Sequence, residues 1–242
     1  MLEINSYLNI IRLLIGFFIL LYASFSDIKT RKASNFLWVI MSLLGVLLLF
    51  IEFVYIGFDN NLNLFIIPIM IFVFYLLFQL LPFFGGADVK ALMSITILVP
   101  FQPIFLIFPV INLYQFFTLP FAWIVLSNSV FIYMTIPLTL FFYNLYKKNV
   151  IFPNCFLGYK IDLDKARKKF VWPLEDIIDG NRKISYFSMN KNSEYIYNKF
   201  MVKKIYNIWV TPKIPFMIPL LIGFLISFLF GDLLFYFFSL IL

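Results

Sequence analysis

The sequence predicts an all-α polytopic membrane protein of six transmembrane helices, with a small α+β cytoplasmic insertion before the last helix. Hydrophobic residues make up 63% of its 242 residues and charged residues only 13%, whereas a soluble domain is nearer half apolar and a quarter charged. The apolar residues form runs of about the ~20 residues that a helix needs to cross a bilayer. Most of the Lys and Arg residues fall outside these runs, in residues 147–213.

Polar or helix-breaking residues separate the predicted spans. A basic loop follows the first span, and Pro82 and two glycines end the third. The fourth span is short, and we interpret the Pro-containing residues 100–118 as an interfacial loop or broken helix. Asn128 and its serine neighbours are expected to pack helices together. Gly231 and Asp232 interrupt the apolar tail, and the residues after them are expected to continue a tilted helix. The predicted spans are 7–25, 35–56, 62–81, 87–99, 119–146 and 214–230.

Residues 147–213 are predicted to form a soluble α+β insertion that divides the membrane part into 1–146 and 214–242. Strands are predicted over 156–160, 183–187 and 205–210, and a helical turn over 164–170. Because about 70 residues bury little apolar surface, we expect the insertion to pack on the membrane part. Its acidic residues are expected to be solvated: Asp162, Asp164, Glu175, Asp176 and Asp179.

The basic residues predict the orientation. Of the 19 Lys and Arg residues, only Arg12 lies outside three regions, 27–34, 82–90 and 147–213. With six spans those regions share one side, which the positive-inside rule makes cytoplasmic. The net charge of +7 then fits contact with anionic lipid, and no nucleic-acid partner is predicted.

The chain contains no His and a single Cys. Catalysis by Ser-His-Asp or Cys-His needs an imidazole base, and a zinc module of four cysteines cannot be built. We therefore predict no metal and no cofactor. Acid–base chemistry would have to come from Asp, Glu, Lys, Tyr or water.

Two aspartates at span ends are the candidate catalytic pair. Asp88 lies between two very apolar runs, and Asp27 ends the first span on the same predicted side. Two facing carboxyl groups share one proton, so the charged member can activate water while the protonated member donates to a peptide carbonyl. That is aspartic protease chemistry. From the residues alone, ion handling and simple solvation at the interface remain open for both.

The residues around Asp88 are candidates for substrate binding. Gly85 and Gly86 expose backbone N–H and C=O groups to an extended peptide, and Ala87 is small. Lys90 would either stabilise negative charge at the site or face lipid headgroups.

Two motifs resemble those of a known family. The segment Gly85–Lys90 resembles the G-x-G-D-x-K motif of membrane aspartic proteases that include the type IV prepilin peptidases, with Ala87 in place of the second Gly. Asp27 followed by Arg31 and Asn35 resembles their other motif. Segments 156–160, 169–173 and 209–219 are most similar to the archaeal preflagellin peptidases, so the resemblance covers nearly the whole chain.

The resemblance implies an activity, a substrate and a location. It implies removal of a short basic leader from preflagellin, after a basic residue and Gly, at the cytoplasmic face of the cell membrane. It also implies that Asp27 and Asp88 are catalytic. A peptidase for other pilin-like precursors with this kind of leader is an alternative. A proton- or ion-coupled transporter is an alternative from a different class.

Overall fold

The computed structural model describes residues 2–55, 65–80, 85–103, 119–178, 180–184 and 192–241, and they form two compact units. The first unit comprises Met1–Tyr133 and Pro215–Leu242 and is helical. The second comprises Met134–Ile214 and contains both helices and strands.

The helices of the first unit are mostly apolar and pack around one core of Leu, Ile, Phe, Val and Met side chains. Long apolar runs form helices because the helix satisfies every backbone N–H and C=O internally. Their bounds are α1 Leu2–Thr30, α2 Asn35–Tyr55, α3 Ile66–Leu80, α4 Gly86–Leu98, α5 Phe121–Tyr133, α10 Met217–Leu229 and α11 Leu233–Ile241.

Close backbone approaches hold two helix pairs of this unit. A Cβ on Gly45 of α2 would lie 2.8 Å from the Leu98 backbone of α4. A Cβ on Gly223 of α10 would lie 2.9 Å from the Ser129 backbone nitrogen of α5. Small residues at such contacts let helices approach closely in a membrane. The α2–α4 contact matters for function because both candidate motifs continue into these helices.

Asn128 is fully buried and fixes the C-terminal helices. Its Nδ2 donates to Ser227 Oγ at 2.9 Å and to the Gly231 carbonyl at 2.8 Å, and its Oδ1 accepts from the Leu233 N–H. The expectation that Asn128 packs helices together is therefore confirmed. The predicted interruption at Gly231 and Asp232 is confirmed, and the residues after it form a separate helix, α11. Gly231 has a φ of +77°, which ends α10, and Asp232 Oδ1 accepts from the Leu234 N–H at the start of α11.

Within the described ranges, three helical stretches are long and apolar enough to cross a bilayer: Asn5–Thr30, Asn35–Tyr55 and Phe121–Tyr146. The predictions of a mostly helical membrane protein and of a small sheet region are confirmed. Six spans stay a prediction, because α3 and α10 are shorter apolar helices and α4 has 13 residues. Most of the predicted interfacial segment, residues 104–118, lies outside the described residues.

The second unit contains short helices and strands. Its elements are α6 Thr135–Tyr146, α7 Asn154–Leu157, β1 Tyr159–Asp162, α8 Leu163–Lys168, β2 Val171–Pro173, β3 Glu175–Ile178, β4 Asn181–Ile184, α9 Ser193–Val202 and β5 Asn207–Pro212. The strands form two small antiparallel sheets, with strand orders β1-β5-β2 and β3-β4. The core is made by side chains of α8, α9 and the β1-β5-β2 sheet, among them Leu163, Ile196, Phe200 and Ile208.

The structure corrects several details of the insertion. The predicted strand over 156–160 begins only at Tyr159, because Asn154–Leu157 is a helical turn. The strand predicted over 183–187 is the end of β4, and residues 185–187 lie outside the described residues. The sequence analysis missed β2, β3 and α9.

Two acidic residues expected to be solvated are instead buried. Glu175 pairs with Arg182, with Nε–Oε1 at 2.9 Å and Nη2–Oε2 at 2.5 Å, and it also accepts from the Trp209 N–H. Asp176 pairs with Lys199 at 3.2 Å. Because a buried carboxylate needs partners, these pairs tie β3 to β4, β5 and α9.

We expect Glu175→Ala to lower the free energy of unfolding of this unit by about 1–3 kcal/mol, because Arg182 and the Trp209 N–H lose their acceptor. Hydrogen exchange of peptides covering residues 171–184 and 207–212 measures it. The matched control is Glu194→Ala, since Glu194 is exposed and lies 3.6 Å from Arg167. The control should change the free energy by less than about 0.5 kcal/mol. Equal effects of the two variants would contradict the buried pairing.

Candidate active site

Asp27 lies in the last turn of α1, close to where that helix ends. The Arg31 N–H bonds the Asp27 carbonyl at 3.0 Å, and Arg31 has a φ of +57°, which turns the chain out of the helix. The Asp27 carboxyl is partly buried, and the Arg31 charge acts on it. Burial disfavours the charged form of this carboxyl, and the positive Arg31 acts in the opposite sense.

A backbone N–H group at the start of α10 also contacts Asp27. The Met217 N–H donates to the Asp27 carboxylate, and Met217 is the first residue of α10. The free N–H groups at a helix start attract anions. The Ser24 hydroxyl donates to the Met217 carbonyl at 2.9 Å and so fixes α1 against this helix start.

Asp88 lies in the first turn of α4, and Gly85 precedes that helix. Asp88 Oδ2 accepts from the Gly85 N–H at 3.2 Å, and the Asp88 N–H bonds the Gly85 carbonyl at 3.0 Å. A Cβ on Gly85 would lie 2.8 Å from Asp88 Oδ2. The missing side chain at Gly85 is therefore what lets the carboxylate fold back over the start of the helix.

The two predicted aspartates are near enough for the charge of one to act on the other. The Asp27 charge acts on the Asp88 carboxyl, although the two residues belong to different helices, α1 and α4. Both carboxyl groups are partly buried, and each has a backbone N–H donor. Such a pair can hold a proton on one member and a charge on the other.

The other predicted site residues surround Asp88. Gly86 starts α4, and a Cβ on it would lie 3.7 Å from the Phe78 ring, an ordinary contact. Ala87 packs against the core of the unit. Lys90 Nζ donates to Asn35 Oδ1 at 2.9 Å. Lys90 therefore links the two sequence motifs to each other.

Two residues near the aspartates were missed by the sequence analysis. The Asp88 charge acts on the Tyr133 phenol, and the Tyr133 ring packs 5.7 Å from Phe216, the residue before Met217. A tyrosine in an apolar helix carries no sequence signal for this position. The Met217 N–H had no signal either, since every residue except Pro has a backbone N–H.

The described parts of the chain contain no cluster of three or more His, Cys, Asp or Glu side chains that could hold a metal ion. The site itself supplies two carboxyl groups, which can transfer protons, and hydrogen-bond donors from the backbone and from Lys90.

Comparison with known proteins identifies relatives along the whole chain. The sequence model of the type IV leader peptidase family matches residues 14–142, and that of the archaeal peptidase A24 C-terminus type II matches residues 149–233. A preflagellin peptidase of Methanocaldococcus jannaschii is 30% identical over 234 residues, covering 92% of this chain and 94% of that protein.

Two further preflagellin peptidases are similar over comparable lengths. That of Methanococcus voltae is 29% identical and covers 90% of this chain and 94% of its own. That of Methanococcus maripaludis is 28% identical and covers 92% of this chain and 96% of its own. The similarity therefore extends over both units.

Proposed function

The chain belongs to the type IV leader peptidase family, and from that premise we propose that it is an aspartic endopeptidase that removes the basic leader of preflagellin. Family membership and the apolar helices make it a protease of the membrane. The single observation that carries the aspartic type is the interaction of the Asp27 and Asp88 carboxyl groups.

The proposed reaction uses the two carboxyl groups and one water molecule. The charged carboxylate takes a proton from water, and the resulting hydroxide forms a bond to the carbonyl carbon of the scissile peptide. The protonated carboxyl donates its proton to the carbonyl oxygen. The C–N bond then breaks as the first carboxyl gives its new proton to the amine nitrogen and the second carboxyl takes a proton back from a hydroxyl of the intermediate. The pair returns to its starting state, so neither aspartate is assigned permanently as acid or base.

The neighbouring residues have supporting roles in this proposal. Gly85, Gly86 and Ala87 keep side chains away from an extended substrate backbone, which can then approach the start of α4 closely. Lys90 supplies a positive charge near the carbonyl oxygen as it becomes negative. Its hydrogen bond to Asn35 would hold the Lys90 ammonium in place.

The proposed topology has six spans, with the active site and residues 147–213 at the cytoplasmic face. The distribution of Lys and Arg supports it. Arg12, the one basic residue outside the three basic regions, pairs with Glu52 at 2.5 Å and is buried. Arg12 lies within the first span and not in a loop, so it does not oppose the orientation. Cytoplasmic placement would put the aspartates on the side where the basic leader lies before cleavage.

Cleavage of a preflagellin in membranes containing the full chain tests the function. We expect loss of the leader after a basic residue and Gly, detected by intact mass. A pilin-like precursor with a similar leader, added in parallel, measures substrate range. An intact leader in every substrate would contradict the proposal. Cleavage of the pilin-like precursor alone would keep the aspartic mechanism and replace the substrate.

A further inference from the structure

A polar cavity of about 510 Å³ lies in the second unit, between the end of α6 and strand β1. It shares no residue with the proposed active site. Four lysines line it: Lys147, Lys160, Lys165 and Lys169. The cavity is large enough for a small ligand group, and it is strongly basic.

Most of this positive charge is not neutralised. Asp162, the one acidic residue of the lining, pairs with Lys165 at 3.0 Å. In the part of the chain that the structure describes, no carboxylate pairs with the other three lysines of the lining. Three ammonium groups around one concave surface favour an anion, and they repel a basic leader peptide. The cavity is therefore suited to a ligand other than the substrate.

A buried amide in the cavity wall indicates a second property of the ligand, a hydrogen-bond donor. Asn144 is 1% exposed, and its Nδ2 donates to the carbonyls of Cys155 at 2.9 Å and Gly158 at 2.7 Å. Its Oδ1 is buried and accepts no hydrogen bond from any described residue. Buried acceptors are rarely left without a donor. A ligand that carries a hydroxyl beside its anionic group would supply one once the Asn144 side chain turns toward the cavity.

The position of the cavity indicates where such a ligand comes from. Tyr143, Asn144 and Lys147 lie at or just after the end of Phe121–Tyr146, one of the candidate membrane spans. Tyr and Lys at the end of a span lie at the depth of lipid headgroups. Basic pockets at the cytoplasmic ends of spans bind anionic headgroups. We propose that this cavity binds a phosphate group that carries a neighbouring hydroxyl, supplied by the headgroup of an anionic membrane lipid.

The test measures lipid bound to the full chain in neutral detergent by native mass spectrometry. Phosphatidylglycerol is the probe, and phosphatidylcholine is the control lipid without net charge. The variant Lys160→Gln/Lys169→Gln removes two charges from the cavity. The matched variant Lys168→Gln/Lys204→Gln removes two charges from exposed lysines that do not line it. All four side chains are exposed, so folding should be unaffected.

We expect the cavity variant to weaken phosphatidylglycerol binding at least about tenfold and the matched variant to weaken it less than about twofold. Equal weakening by both variants would show only diffuse surface attraction and would overturn the proposal. No weakening by either variant would also overturn it. Competition by free glycerol phosphate at the concentration of the lipid would retain the phosphate site and make its source a soluble anion.

Discussion

Asp27→Asn and Asp88→Asn should each lower the rate of leader cleavage at least about a hundredfold, since general acid–base catalysis by a positioned group contributes roughly 10²–10⁴. Asn keeps the shape of the side chain but neither carries the charge nor takes the shared proton. Because the two carboxyl groups act as one unit, the double variant should be little slower than either single variant. Single-turnover cleavage of a preflagellin in membranes measures all three rates.

The matched control for this prediction is Asp232→Asn. Asp232 belongs to the same unit and its Oδ1 caps the start of α11, a role that Asn also fills. Asp232→Asn should therefore cleave at the rate of the unaltered chain, while equal membrane insertion of all variants shows that folding is intact. If either Asp27→Asn or Asp88→Asn kept near-normal activity, that carboxyl group would not be catalytic and the paired mechanism would be wrong.

The candidate site could be proposed from sequence because its requirements are local. The glycines before Asp88 and the basic residues after Asp27 are short patterns, and the distribution of positive charge predicts that both lie on one side of the membrane. The electrostatic interaction of the two carboxyl groups agrees with those predictions. The same holds for Asn128, whose amide in an apolar helix had to find partners in other helices.

The features of the fold and the site that could not be predicted from sequence depend on contacts between distant segments. The donor to Asp27 is a backbone N–H of Met217, and no side-chain pattern marks a backbone donor. The burial of Glu175 depends on Arg182 across a hairpin and on the backbone of Trp209. An acidic residue in a basic, polar segment is ordinarily solvated, so composition predicted the wrong environment. The separate α11 depended on one glycine with positive φ.

Gly85→Ala should lower the turnover number for leader cleavage by about ten- to a hundredfold, since misplacing a reacting group by about 1 Å has effects of that size. The added Cβ would lie 2.8 Å from Asp88 Oδ2, closer than such atoms pack. The carboxylate must then rotate away from the Gly85 N–H. Gly86→Ala is the matched control one residue along. Its Cβ would meet only the Phe78 ring at 3.7 Å and would not touch Asp88, so we expect the turnover number to fall less than in Gly85→Ala.

The kinetic constants of Gly85→Ala separate two roles for this glycine. If Gly85 chiefly positions the Asp88 carboxylate, the turnover number falls and KM changes little, because the lost interaction is made in the transition state. If Gly85 chiefly pairs with the substrate backbone, KM rises and the turnover number is retained. The hydrogen bond between the Gly85 N–H and Asp88 Oδ2 favours the first outcome. That N–H already has an acceptor, so it is not available to a substrate carbonyl while the carboxylate stays folded back.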